Sequence, residues 1–319
     1  MLVSAGAAEI SSLIPIGHTV GIQMSAEGVL VVHLSPVETP DGEVWPAKDA
    51  GICEGDTIIR VGGTEVGSND DLQKQIALSG GHPVEIGLVR DDKEMTVTAQ
   101  PCADEDGVYR IGILARDSIA GIGTLTYIDP ETGAYGSLGH GICDSETGVL
   151  MPLKEGSLIY SVVGSVQRGE AGEPGALQGE FTADTALGTV EENTGSGIFG
   201  TVTDSSLYDA LEPVPVADAD EIHTGGAEIL ANVEGDTVER YAVEVVKVYP
   251  ADDEYGRGMM IRVTDDDLIG KTGGIVQGMS GSPVLQDGKL IGAVTHVLVG
   301  DPTCGYAISI ERMIEEMTN

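Results

Sequence analysis

Glycine fills 46 of the 319 positions while aromatic residues make up only 4% of the chain, and this pairing limits the fold more than any single motif. A glycine inside a helix costs about 1 kcal/mol relative to alanine. Short strands joined by tight turns suit such a chain better than long helices. A hydrophobic content of 41% over this length supplies two cores, in line with about 100–200 residues per domain.

The formal charge of −36 excludes several partners. Phosphate backbones and anionic membrane surfaces repel such a chain, so nucleic-acid binding and polybasic lipid binding are not expected. An acidic surface favours basic substrates, with plain solubility as the simpler reading. Cys53, Cys102, Cys143 and Cys304 form no CxxC pair and have no metal-ligand spacing with histidine, so neither a metal nor another cofactor is expected. Free, partly buried thiols are the default, two disulfides the alternative in an oxidising compartment. No stretch reaches the roughly 18–20 apolar residues of a membrane span. Residues 1–8 lack the basic start of a signal peptide.

Residues 20–100 contain strand-like runs at 28–32 and 84–89. A helical stretch begins near Asn69, with Leu72, Ile76 and Ala77 at helical spacing. Asp70 and Asp71 stand where the helix dipole favours negative charge. Between these, Pro46-Ala47-Lys48-Asp49-Ala50-Gly51-Ile52 and Gly55-Asp56-Thr57-Ile58-Ile59-Arg60-Val61-Gly62-Gly63 resemble the middle of a PDZ domain. PDZ domains bind peptides by strand addition, holding a terminal carboxylate on N–H groups of a glycine-containing loop. The matching loop is Gly17-His18-Thr19-Val20-Gly21-Ile22, with Thr19, Val20, Gly21 and Ile22 as peptide-binding candidates. Its expected occupant is a partner's tail or the chain's own N-terminal segment. A loop merely shaped by Gly17 and Gly21 is the alternative.

After Pro101-Cys102 the pattern changes to short strands, at 123–128, 158–166, 197–202, 242–249, 259–263 and 290–299, with a closing helix at 308–317. Strands at this spacing argue for a β-barrel or sandwich, and two β-barrels are the expected architecture. The expected divisions are an N-terminal segment 1–12, a PDZ domain 13–101 and a peptidase domain 102–319. The acidic, Pro-containing section 211–221 reads as a surface loop.

Within the second part, Gly278-Met279-Ser280-Gly281-Ser282-Pro283 suits a tight turn that aims a hydroxyl and backbone N–H groups at one point. A serine hydroxyl is neutral at pH 7 and needs a base within hydrogen-bond reach. His140, in Gly139-His140-Gly141, is the candidate, with His296 as a rival base. The oxyanion hole is expected from the N–H groups of Gly278 and Ser280. A plain Gly-Ser-Pro turn between strands is the alternative. The other histidines, His18, His33, His82 and His223, read as surface or loop residues.

Four stretches identify the family that the chain resembles: Arg116-Asp117-Ser118, Ala120-Gly121-Ile122-Gly123-Thr124, Gly136-Ser137-Leu138-Gly139-His140 and Lys271-Thr272-Gly273-Gly274-Ile275-Val276-Gln277, the last leading into the serine turn. Together with Gly292-Ala293-Val294-Thr295-His296, Asp301-Pro302-Thr303 and Gly305-Tyr306, they resemble the SpoIVB peptidase family of endospore-forming bacteria. The resemblance implies a mainly β chain, a PDZ domain (α+β) followed by a trypsin-like, chymotrypsin-fold double β-barrel with serine endopeptidase activity. It places the third triad role on Asp265, with Asp144 as the alternative acid and Asp117 as a further option. Thr295 and His296 resemble the strand beside bound substrate, and Gly305 a wall of the specificity pocket. The implied role is signalling between the two forespore membranes: cleavage of a membrane-bound regulator that restrains an intramembrane metalloprotease, releasing a late sporulation sigma factor. Members of the family usually carry an N-terminal hydrophobic segment, so a truncated start or an unseen export route is expected here. A catalytically idle scaffold that keeps the fold for peptide binding is the second function class. A carboxylate-based glycosidase or phosphatase has only composition behind it.

Overall fold

The computed structural model describes residues 10–251, 253 and 256–318, the side chains of 182–185 excepted. Most of the expected N-terminal segment, residues 1–9, therefore lies outside the described residues. The chain divides into two compact units. One comprises residues 24–119 and 143–155; the other comprises the chain up to 23 together with 120–142 and everything from 156 onward.

The smaller unit is a PDZ domain. Its sheet pairs the later part of Thr19–Leu34 with Thr57–Val61, then Val84–Arg90, then Lys93–Ala99, in the register Val29↔Ile58, Ile58↔Leu88 and Leu88↔Met95. Helix α1 (Pro46–Asp49) starts on a proline, whose missing N–H has no partner to lose in a first turn. Helix α2 (Asn69–Leu78) is capped by Ser68, whose hydroxyl accepts the Asp71 N–H at 3.1 Å. Its Leu72 and Ile76 pack into a core with Val29, Ile58, Ile86 and Leu88, which is why the apolar spacing read from the sequence becomes this helix. On its other flank α2 meets the chain itself. Asn69 donates its N–H to Asp117 at 2.8 Å and its side-chain amide to the Ala115 carbonyl at 3.2 Å, and Gln73 donates to the Tyr109 carbonyl at 3.0 Å.

In the larger unit six strands close a barrel: Gly225–Glu234, Thr237–Val248, Met259–Val263, Asp301–Ser309, Lys289–Leu298 and Pro283–Gln286. Ile229, Val243, Ile261, Val284, Val294 and Ala307 fill it. At about 1.5–3 kcal/mol for each large aliphatic side chain taken from water, these residues hold the barrel shut. The same unit contains an antiparallel sheet running from the later half of Ile113–Ile128 through Ala134–Ser137, Gly197–Val202 and Ala176–Thr194 to Glu155–Gln167. Helix α3 (Asp266–Thr272) precedes the serine turn, and helix α4 (Ile310–Met317) buries Ile310 and Met313 beside Tyr127, Phe199 and Ile308.

The mainly β architecture matches the expectation; the boundary at residue 13 does not. Residues 13–23 belong to the larger unit. Gly17 donates its N–H to Leu125 at 2.9 Å, Thr19 donates its hydroxyl to the Asn232 carbonyl at 3.0 Å, and His18 meets Asp236 at 2.7 Å. Conversely, residues 143–155 belong to the PDZ unit, where Lys154 donates its N–H to Ser25 at 2.9 Å. A resemblance scored along the chain does not register either exchange.

Candidate active site

The serine turn is held by one buried residue, Thr124, to which its motif assigns no role. Thr124 donates its hydroxyl to the Gly278 carbonyl at 2.8 Å and its N–H to the Ser280 carbonyl at 2.9 Å. The Thr124 carbonyl in turn accepts the Ser137 hydroxyl at 2.7 Å and the Leu138 N–H at 3.3 Å. Thr124 thus ties the turn bearing Ser280 to the turn bearing His140. Its signal in the sequence is slight, since a threonine in a strand usually reports only β propensity.

Gly278 and Gly281 sit at φ +96° and +97°, a region L side chains rarely adopt. A Cβ on Gly281 would run into the Thr124 carbonyl and the Leu138 nitrogen. Gly281 donates its N–H to Val294 at 2.7 Å, and Ser282 donates to Met279 at 3.0 Å. Among the described residues the N–H groups of Gly278 and Ser280 meet no acceptor. The Ser280 hydroxyl donates to the Thr295 carbonyl at 2.6 Å.

His140 follows two successive positive-φ residues, Leu138 at +68° and Gly139 at +69°. Leucine in that region stores backbone strain, which accumulates at functional sites. A Cβ on Gly139 would stand 2.9 Å from Ile308 and 3.0 Å from the Thr295 methyl, so the chain passes here only as glycine. Beyond His140, Asn193 clamps Ile142, accepting its N–H at 2.8 Å and donating to its carbonyl at 2.9 Å.

The Nδ1 of His140 lies 2.9 Å from the Gly141 carbonyl. A carbonyl only accepts, so Nδ1 carries the proton and Nε2 is left as the acceptor. Burial pushes the His140 pKa below the usual histidine value, partly offset by that carbonyl. The ring is therefore neutral at pH 7. The His296 ring lies beside it at a tilt of 37°, ring centroids 4.9 Å apart, and its pKa is lowered by burial and then by the charge His140 would carry. Ser280 and His140 lie at the two turns that Thr124 joins, and among the described residues no hydrogen bond links their side chains.

Asp265 stands elsewhere in its hydrogen bonding. It is the N-cap of α3: one oxygen accepts the N–H groups of Asp267 and Leu268 at 3.0 and 3.1 Å, the other that of Ala242 at 3.3 Å. Burial raises its pKa, but these donors outweigh it and hold the carboxyl below its usual range. Asp144 belongs to the PDZ unit. Fully buried, it accepts the Glu146 and Thr147 N–H groups and the Thr147 hydroxyl, with Arg116 at 3.2 Å. Asp117 accepts from Asn69 as described. Among the described residues Asp265 makes no hydrogen bond to His140.

Thr19, Val20, Gly21 and Ile22 form no open edge. All four are buried in the larger unit, and a Cβ on Gly21 would strike the Phe181 ring. Gly305 is buried against Ile275 and the His296 carbonyl. Three of the histidines expected at the surface or in loops pair with carboxylates: His18 with Asp236, His33 with Glu54 and His223 with Asp287. His18 is almost fully buried, and Asp236 is also bound by Tyr160. No disulfide joins the four cysteines, and burial pushes the Cys143 thiol up, away from a reactive thiolate. Among the described residues no three His, Cys, Asp or Glu side chains are grouped to hold a metal, and no helix is long and apolar enough to cross a membrane.

With this geometry in place, comparison with known proteins is decisive for the family. The profile of SpoIVB peptidase S55 matches residues 107–314, and that of the PDZ domain matches residues 20–100. The chain belongs to the SpoIVB peptidase S55 family. Two curated relatives carry zinc metalloprotease names. One, from Clostridium perfringens, is 37% identical over 68 residues, 21% of this chain and 20% of its own. The other, from Mesorhizobium japonicum, is 39% identical over 56 residues, 18% of this chain and 15% of its own. The chain thus spans at most about a fifth of either relative. Among solved structures, the PDZ domain of an SdrC-like protein from Listeria monocytogenes is 25% identical with a TM-score of 0.23, over 28% of this chain and 90% of that one. An inactive mutant form of Rv3671c from M. tuberculosis is 15% identical with a TM-score of 0.34, over 62% and 82%. This S55 family member also carries a PDZ domain.

Proposed function

We propose that this peptidase is a serine endopeptidase with Ser280 as nucleophile and His140 as general base. The observation that carries the reading is that Thr124 ties together two turns, one with two N–H donors that meet no acceptor among the described residues beside a serine hydroxyl, the other with a histidine whose tautomer leaves Nε2 to accept. Rotation of the Ser280 hydroxyl away from Thr295 brings its proton to Nε2 as Oγ attacks the scissile carbonyl. The developing oxyanion falls on the Gly278 and Ser280 N–H groups. The imidazolium then protonates the leaving amine, and water repeats the sequence on the acyl-enzyme. The Gly141 carbonyl does the orienting that a triad carboxylate does elsewhere, and Asp265 serves the site through α3. By family, the activity belongs to sporulation signalling outside the mother-cell cytoplasm, with a membrane-bound regulator as substrate, and the PDZ domain regulates it or binds peptide.

A second reading, an idle scaffold, has one observation in its favour, the Ser280 hydroxyl committed to the Thr295 carbonyl. Incubating the purified chain and its Ser280→Ala variant with casein separates them. Cleavage by the first and none by the second is the expected result; cleavage by neither favours the scaffold.

A further inference from the structure

Beside His140 the larger unit opens into a cavity of about 610 Å³, lined among others by Ser196, Arg257, Thr295, His296, Tyr306 and Arg312. Two of the 16 basic residues in a chain of net charge −36 face this one space. They differ in what they do. Arg257 is fixed: it makes a two-pronged ion pair with Asp253, at 3.0 and 2.9 Å, and its guanidinium lies 4.5 and 5.5 Å from the Tyr249 and Tyr306 ring centres. Arg312, on α4, has neither a hydrogen bond nor an ion pair among the described residues, although it is only partly exposed. Gly256, at φ +69°, gives it room: a Cβ there would stand 3.1 Å from the Arg312 guanidinium. Glu316, one turn further along α4, is the carboxylate in the lining, and among the described residues it makes no ion pair with Arg312.

We propose that this cavity is a specificity site for a carboxylate, that of an acidic residue next to the scissile bond or that of the substrate's C-terminus, with Arg312 as its principal ligand. A guanidinium presents a planar fork of donors that matches a carboxylate, and such charge-assisted bonds are the strong ones. The chain's overall acidity does not decide the matter. Exposed charges more than about 8 Å apart are largely screened at physiological salt, whereas a pair inside a cleft is not. The expectation of basic substrates, drawn from total charge, is thereby replaced at this point of contact. The inference rests on the serine-peptidase reading of the adjoining site.

The test uses the full chain and three peptides alike except at one place: Glu beside the cleaved bond with an amidated terminus, Gln there with an amidated terminus, and Gln there with a free terminus. A kcat/KM higher by about tenfold or more for the first assigns the site to an acidic side chain; the same gain for the third assigns it to a chain terminus. Arg312→Gln should bring the favoured ratio toward one, Arg312→Lys should keep part of it, and Glu316→Gln should raise it. Shifts in the ratio exclude a merely structural role for Arg312. Cleavage of all three peptides at one rate overturns the carboxylate site and leaves the peptidase reading standing. Cleavage of none of them overturns both.

Discussion

Two segments of the larger unit look alike in the sequence, Gly17 to Gly21 and Gly278 to Gly281, each a pair of glycines around polar residues. In the first, the backbone is taken up by neighbours: the Ile16 and Gly17 N–H groups go to Thr126 and Leu125 at 3.0 and 2.9 Å, and the residues that follow are buried in a strand. In the second, Thr124 grips the two carbonyls and leaves the Gly278 and Ser280 N–H groups unclaimed. Glycine spacing marks where a chain can turn or approach closely. Whether the turn offers donors to a ligand depends on which partner reaches it, and that partner lies over 100 residues away in both cases.

The comparison breaks most sharply at Ser280. Ser280→Ala should lower peptide cleavage by about 10⁴-fold or more while leaving the thermal unfolding curve in place. No substitution in the first segment should match its effect on activity. Next in size is Gly281→Ala, which forces a Cβ into the Thr124 carbonyl and should cost about 3 kcal/mol or more in urea unfolding, with loss of activity. Gly17→Ala, whose Cβ would lie 2.9 Å from the Leu230 backbone, should cost about 1–3 kcal/mol while the folded fraction still cleaves. Equal losses of activity per folded molecule would erase the distinction between the segments.

Thr124→Val removes one hydroxyl from the turn and should reduce kcat by about tenfold for about 1–2 kcal/mol of stability. Asp265→Ala should remove the α3 cap and cost about 1–2 kcal/mol in unfolding. If turnover vanished with stability unchanged, Asp265 would be the triad acid after all. The smallest effect concerns pH. Only neutral His140 accepts a proton, and burial lowers its pKa, so kcat/KM should fall with acid only below the ordinary histidine value of 6.5. A rising limb above that value would mean that the base lies near a carboxylate.

Much of this was legible beforehand because it is local. The strands 197–202 and 259–263 match to the residue, and α2 follows from Leu72 and Ile76 together with its acidic first turn. Helix α3 was legible too and went unread: Asp265 before Asp266, Asp267 and Leu268, Lys271 in the last turn and Gly273 at φ +83° form a complete set of start and stop signals. Reading Asp265 as a triad acid hid the cap. What no local pattern carries is the docking of residues 13–23 with the barrel-bearing unit, the role of Thr124, and the Gly141 carbonyl at His140. Each depends on contacts set by tertiary packing or on a backbone group that every residue has.

The central claim is that Ser280 is a nucleophile activated by His140. Its most direct test is covalent labelling with a fluorophosphonate, followed by peptide mass spectrometry of the full chain. The account predicts one adduct, on Ser280, strongly reduced in His140→Gln and absent from Ser280→Ala. Peptide cleavage that persists without any adduct on Ser280, and that a metal chelator stops, would contradict it.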